Sequence, residues 1–265
     1  MCLIVVAVGA TPKIRLVIAA NRDEQHTRPA ASAAWWPEPP RVLGGRDLLA
    51  GGSWLAVDRR GRFAAVTNIR DPARPLGLRS RGALVTDFLA DADSARSFAA
   101  RATSEGVQFG AFNLLVYDGR ELWLASNRAA AAPLGAGFHS FSNAPAGVEW
   151  PKIASARAGA ERLLARPSAV GRKIAPAFAA LPPSMAVESP VEPLFALLAE
   201  RDDSSSPEQR YERTHFVVGP IYGTRCSTVV LIDDAGRATF AERSFDAAGR
   251  QVGEVRESFE LELAP

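Results

Sequence analysis

Residues 2–24 read CLIVVAVGATPKIRLVIAANRDE, two apolar runs around a turn, closed by a polar quartet. Cys2 to Val8 has the composition of a strand, Gly9 to Pro12 carries turn residues, and Ile14 to Ala20 is the return strand. A turn centred near Ala10 and Thr11 sets Cys2 opposite the neighbourhood of Asn21 and brings Asp23 close to the start of the chain. Small residues after Met1 generally allow its removal, and Cys2 is small. Its thiol and free α-amine then share one residue, a nucleophile beside its own base. A thiol is mostly protonated near neutral pH, whereas an α-amine titrates at about 7.7–8.0 and suits proton transfer there.

Composition bounds the classes open to the chain. With 265 residues, 47% of them hydrophobic and 23% charged, it can bury a substantial core, and we read residues 1–265 as one domain. A net charge of +2 gives no argument for nucleic acid or an anionic membrane. Two cysteines, Cys2 and Cys226, cannot build a disulfide framework. The run Leu3 to Val8 is too short for a membrane span and follows no basic segment, so a cytoplasmic protein without an integral membrane segment is expected. His26, His139 and His215 lack metal-ligand spacing, so neither a metal nor a cofactor is expected.

Further along, Thr27 to Arg46 is rich in proline and reads as irregular. Ser53 to Val57 and Phe63 to Thr67 form a second hairpin, which places Asn68 opposite Gly51 and Gly52. Glycine there permits close approach of backbone or of substrate. Leu84 to Ala102 has helical spacing, and Asn113 to Tyr117 with Leu122 to Ser126 flanks the turn Asp118-Gly119. Phe138 to Phe141 reads as a strand, Ile153 to Ala165 and Val191 to Leu198 as helices, and Leu181 to Pro190 as a linker. Strands at Phe216 to Val218, Cys226 to Ile232 and Ala238 to Arg243 complete the pattern. Strands first and last with helices between predict stacked sheets covered by helices.

Several short motifs follow one another along nearly the whole chain. They are Met1-Cys2-Leu3-Ile4, Ala19-Ala20-Asn21-Arg22-Asp23-Glu24, Arg28-Pro29, Gly51-Gly52-Ser53-Trp54-Leu55, Ala65-Val66-Thr67-Asn68 and Gly82-Ala83-Leu84-Val85. Phe112-Asn113-Leu114, Ser142-Asn143-Ala144, Tyr222-Gly223-Thr224-Arg225 and Glu242-Arg243-Ser244 continue the series. On these residues the chain resembles the NRDE family, known in animals as the transport and Golgi organisation 2 family. That family in turn is similar to N-terminal-nucleophile hydrolases of the choloylglycine hydrolase and penicillin V acylase type. The resemblance implies an α+β fold, a four-layer αββα sandwich of two mostly antiparallel sheets. It also implies an N-terminal cysteine that attacks a linear carbon–nitrogen amide bond.

By that resemblance Cys2, Asp23, Asn68, Asn143 and Arg225 are the candidate catalytic residues, and Asn21, Arg22, Gly52 and Trp54 the candidate substrate contacts. Arg225 near Cys2 would favour thiolate, and Asp23 would hold and orient the α-amine. Asn68 would donate to the tetrahedral oxyanion, and losing such a donor costs about 3–4 kcal/mol. Asn143 would position the amine or the substrate carbonyl. The related group carries arginine just before its first asparagine, where this chain has Ala20; Arg22, two residues on, shares that strand face.

Each residue also has a plainer reading. Cys2 and Cys226 fit a buried core, Asp23 and Glu24 a turn, Arg22 a loop ion pair, and Asn68 and Asn143 the caps of loops. Trp35, Trp36 and Trp54 fit either the core or the wall of an apolar pocket. Two functions follow: a cysteine amidohydrolase on a small-molecule amide, or a carrier that binds haem or an acyl lipid in the same pocket without turnover. The family's association with haem handling and acyl-coenzyme A homeostasis implies the second.

Overall fold

The computed structural model describes residues 2–69, 77–145, 147–164, 189–202, 206 and 209–262. Thirteen strands occur among them: β1 Leu3–Thr11, β2 Ile14–Gln25, β3 Ala30–Trp35, β4 Val42–Asp47, β5 Leu55–Asp58, β6 Phe63–Asn68 and β7 Phe112–Tyr117. The rest are β8 Leu122–Ser126, β9 Ala132–Leu134, β10 Gly137–Phe141, β11 Tyr222–Asp233, β12 Arg237–Phe245 and β13 Gln251–Glu260. The helices are α1 Gly82–Ala90, α2 Ala95–Ser104, α3 Pro151–Leu164, α4 Val191–Leu198 and the single turn α5 Arg210–Arg213.

The strands form two antiparallel sheets, β10-β1-β2-β11-β12-β13 and β3-β4-β5-β6-β7-β8-β9. Alternation along β1 sends Ile4 and Val6 to one face and Leu3, Val5 and Ala7 to the other. The first set meets Leu16, Ile18, Phe63, Leu115 and Phe240 between the sheets. The second packs under α3 and α4 against Ala156, Ala160, Leu194 and Leu198. On the far side, Ala64, Val66, Leu114 and Val116 lie beneath Val85, Phe88 and Phe98 of α1 and α2. The result is the four-layer αββα sandwich of an α+β protein.

Four local readings change. Within the proline-rich stretch, β3 and β4 are strands held by pairs such as Trp35 with Leu43. The helical pattern from Leu84 to Ala102 breaks at 91–94, where Ser94 Oγ accepts from the Ser97 amide and starts a second helix. Phe216 and Val217 are buried, but Phe216 to Val218 is no strand. The polar edge strand β13, which buries only Phe259, adds to the sheet beyond β12. Most of the linker expected at Leu181 to Pro190, and the last residue of the helix expected to end at Ala165, lie outside the described residues.

Glycine at position 52 serves the backbone. A Cβ there would stand 2.5 Å from the Gly82 carbonyl carbon, where the segment before β5 crosses the start of α1. We expect Gly52→Ala to destabilise the chain by about 1–3 kcal/mol through this overlap, measured by urea unfolding.

Candidate functional site

The long strand β2 outruns β1. Leu3 pairs with Asn21, so Arg22 to Gln25 extend past β1 and remain paired with β11 on the other side. A bulge between Thr224 and Cys226 sets Arg225 out of the ladder. At this end of the sandwich a cavity of about 700 Å³ opens between the two sheets. It is lined by Cys2, Arg22, Asp23, Trp54, Asn68, Asn143 and Arg225, seven of the residues singled out in the sequence.

Asp23 is buried and multiply held. Its Oδ1 accepts from Thr224 Oγ1 at 2.7 Å, and its carbonyl accepts from the Tyr222 hydroxyl at 2.8 Å. Cys2 is half-buried, and its carbonyl accepts from Ser142 Oγ at 2.6 Å. Burial pushes the Cys2 thiol up; the Asp23 carboxylate adds to the rise, while the Asp23 amide and Arg22 oppose it. The thiol is therefore the resting form. Arg22 and Arg81 are guanidinium groups whose charges reach it, whereas Arg225 Nη1 donates to the carbonyls of Gln25, His26 and Arg28 and holds the turn after β2.

The opposite wall comes from the second sheet. Thr67 Oγ1 donates to the Ser142 carbonyl at 2.8 Å, and Asn143 Nδ2 donates to the Asn68 carbonyl. These two bonds tie the end of β6 to the segment after β10, across the sheets. Asn143 Oδ1 is buried with no partner among the described residues, and the Asn68 side chain is exposed on the cavity. Asn68 thus offers its side-chain amide to the cavity.

Asn21 and Gly52 do not line the cavity. Asn21 is fully buried: Nδ2 donates to the carbonyls of Leu198 and His215, each at 2.8 Å, and Oδ1 accepts from Ser227 Oγ at 2.6 Å. Two of these bonds pin β2 to the layer of α4 and the third ties it to β11. Trp54 packs partly into the core between the sheets while also facing the cavity.

Three residues near Cys2 escaped the sequence reading. Lys152, at the start of α3, is wholly inaccessible to solvent; burial lowers its ammonium pKa, while the charges of Asp23 and Cys2 raise it. A lysine one turn before Ala156, on the stripe that packs against the sheet, was the available signal. Arg81 precedes α1 and reaches the cavity from the far sheet. Glu242 is buried beside Cys226, with Oε1 accepting from the Ala33 amide and Oε2 from Thr228 Oγ1, both at 2.9 Å. Burial and then Glu242 push the Cys226 thiol well above its ordinary range, so the second cysteine of the cavity wall is held neutral.

Comparison with known proteins fits this frame. The family model described as Transport and Golgi organisation 2 matches residues 1–247. The chain belongs to that family. It is 34% identical over 243 residues to the Transport and Golgi organization protein 2 homolog of Bos taurus, covering 87% of this chain and 86% of the relative. The Homo sapiens homolog is 32% identical over 249 residues, with the same coverage. Among solved structures, a variant of conjugated bile acid hydrolase from Clostridium perfringens superposes with a TM-score of 0.52 at 8% identity, covering 100% of this chain and 99% of that one. The fold is thus that of the N-terminal-nucleophile hydrolases of the choloylglycine hydrolase group.

Burial raises the Glu242 carboxyl, so the folded chain holds a proton there that the unfolded chain releases. The stability linked to that proton is fully present below the ordinary glutamate range and is lost as pH rises through the raised folded value. We expect Glu242→Gln to remove this pH dependence, so that urea midpoints of variant and parent diverge across that window and run parallel outside it.

Proposed function

We propose that this family member is an N-terminal cysteine amidohydrolase acting on a linear carbon–nitrogen amide bond. The observation that carries the reading is the convergence of Cys2, Asp23, Asn68 and Asn143 from four separate segments on one cavity between the sheets. A thiol, a buried carboxylate and an exposed side-chain amide are groups that acyl transfer needs.

With Met1 removed, the α-amine of Cys2 takes the thiol proton as Sγ attacks the substrate carbonyl carbon. A resting thiol suits this step, because the base is on the same residue. The developing oxyanion accepts a hydrogen bond from the Asn68 side chain, and Asn143, whose Nδ2 donates to the Asn68 carbonyl, holds that residue in place. The ammonium then returns its proton to the leaving nitrogen as the carbon–nitrogen bond breaks. Water, deprotonated by the same amine, cleaves the thioester and frees Cys2. Asp23, fixed by Thr224, orients the amine throughout.

A second reading, binding without turnover, draws on one observation: burial keeps the Cys2 thiol up, away from the thiolate. Haem or an acyl lipid would be the cargo by family association.

The two readings part at Cys2. Under the hydrolase reading, intact mass shows loss of Met1 and rapid single labelling of Cys2 by a thiol electrophile. Cys2→Ala then lowers kcat on an amide substrate by about three orders of magnitude or more, with an unchanged unfolding temperature. Retained Met1, or an inert processed Cys2, rejects self-activated catalysis and leaves the carrier.

A further inference from the structure

The cavity is unusual in its charge. Six arginines line it, against the carboxyl groups of Asp23, Glu24, Asp47 and Glu242, although the whole chain carries a net charge of only +2. Glu242 is also driven toward its neutral form by burial, so the wall is cationic.

Three of these arginines are occupied by other work. Arg28 holds Asp47 with two N–H groups at 2.7 and 2.8 Å, and Arg79 holds Asp87 at 2.6 Å. Arg46 lies over the Trp36 ring, its centre 4.6 Å away, and donates to the Gly51 carbonyl at 2.8 Å. The remaining three are differently placed. Arg81 has no carboxylate within 4 Å among the described residues; its single bond is from Nη1 to the Ala111 carbonyl at 3.2 Å. It is half-buried; removal from water lowers its pKa, the charge of Glu24 opposing the fall and that of Arg28 adding to it. Arg22 is buried and, among the described residues, its one ion pair is the long contact with Glu24 at 3.8 Å. Arg225 commits Nη1 to carbonyls, and its other nitrogens have no partner among the described residues.

Guanidinium groups fixed by backbone carbonyls, with N–H donors left over, are pre-organised to grip carboxylate or phosphate oxygens. Arg81 also lies within electrostatic reach of Cys2, so such a grip sits beside the proposed nucleophile. We propose that the cavity takes an acyl amide bearing an anionic group, a carboxylate or a phosphate, held by Arg81 with Arg22 and Arg225 while its amide lies at Cys2. This rests on the amidohydrolase reading for the amide, and on the arginines alone for the anion.

The test is calorimetric titration of the Cys2→Ala chain with three probes: N-hexanoylglycine, N-hexanoylphosphoethanolamine and the neutral N-hexanoyl methylamide. At least one anionic probe is expected to bind about tenfold or more tighter than the neutral one, a difference that salt erodes. Which of the two binds tells carboxylate from phosphate. Adding Arg81→Gln should remove most of that difference while leaving the neutral probe unchanged, and Arg81→Lys should restore part of it. Arg22→Gln serves in its place if thermal unfolding shows that the Arg81 variants do not fold. Equal binding of all three probes, no binding of either anion, or an equal loss of all three in Arg81→Gln would overturn the proposal. Turnover is scored separately with Cys2 present. Anion preference without hydrolysis rejects the amidohydrolase and keeps the subsite, whereas hydrolysis of the neutral amide without preference does the reverse.

Discussion

The pairing of Leu3 with Asn21 fixes the geometry on which the rest of the cavity depends. A strand alternates faces at every residue, so a slip by one would send Ile4 and Val6 out of the core between the sheets and Leu3 and Val5 into it. Two well-filled cores therefore hold the register from both faces. Asn21 locks it from the side, because its three buried bonds reach α4, the His215 segment and β11 together. Loss of any of these partners would strand a polar group where water cannot reach. With that register set, the next residues of β2 have one place to go: beside Cys2, at the open end of the sheet.

That placement creates an electrostatic problem that the neighbouring layers solve. Asp23 is almost sealed from solvent, and a buried carboxylate needs strong partners. Thr224 Oγ1 donates to the carboxylate and the Tyr222 hydroxyl to the main-chain carbonyl of the same residue, both from β11, while the charge of Lys152 acts on the carboxylate from α3. His215 extends this layer: its Nε2 meets Ser155 Oγ at 2.8 Å, and its Nδ1 meets the Leu197 carbonyl at 2.9 Å. Burial lowers the imidazole pKa, so the ring is neutral at ordinary pH and serves as a bridge between α3 and α4. The layer of helices over this sheet thus does more than cover apolar surface. It supplies charge and hydrogen bonds to the floor of the cavity.

Legibility in the sequence followed the range of the forces involved. The β1–β2 hairpin was plain because its apolar runs, turn and polar end are contiguous, and α4 was plain because an isolated apolar period bounds it. The β3 and β4 strands were hidden because alanine, serine and glycine have little strand preference of their own; pairing with a neighbour makes them strands. The break at 91–94 was hidden because the apolar period carries across it, and only the Ser94 cap marks the restart. Polar β13 became a strand by adding to the edge of β12. In the cavity, residues at strand ends could be placed by counting along hairpins. Arg81 and Lys152 could not, since they enter from helices whose approach is set by packing over the whole sandwich.

An uncommitted guanidinium such as Arg81 is a cost in a folded chain, because partial desolvation weakens its hydration without an ion pair in exchange. Replacing it with an apolar side chain would relieve that cost, so its presence is hard to explain by stability. The same holds for Asn143 Oδ1, a sealed acceptor without a donor. Both residues line the cavity that also receives Cys2, and the two groups have opposite hydrogen-bonding character. A ligand that relieves both must present an acceptor with negative charge to one and an N–H to the other. An amide with an anionic substituent meets both demands at once, whereas an uncharged hydrocarbon meets neither. The unsatisfied groups of the cavity therefore describe the proposed ligand more closely than the cavity's shape does.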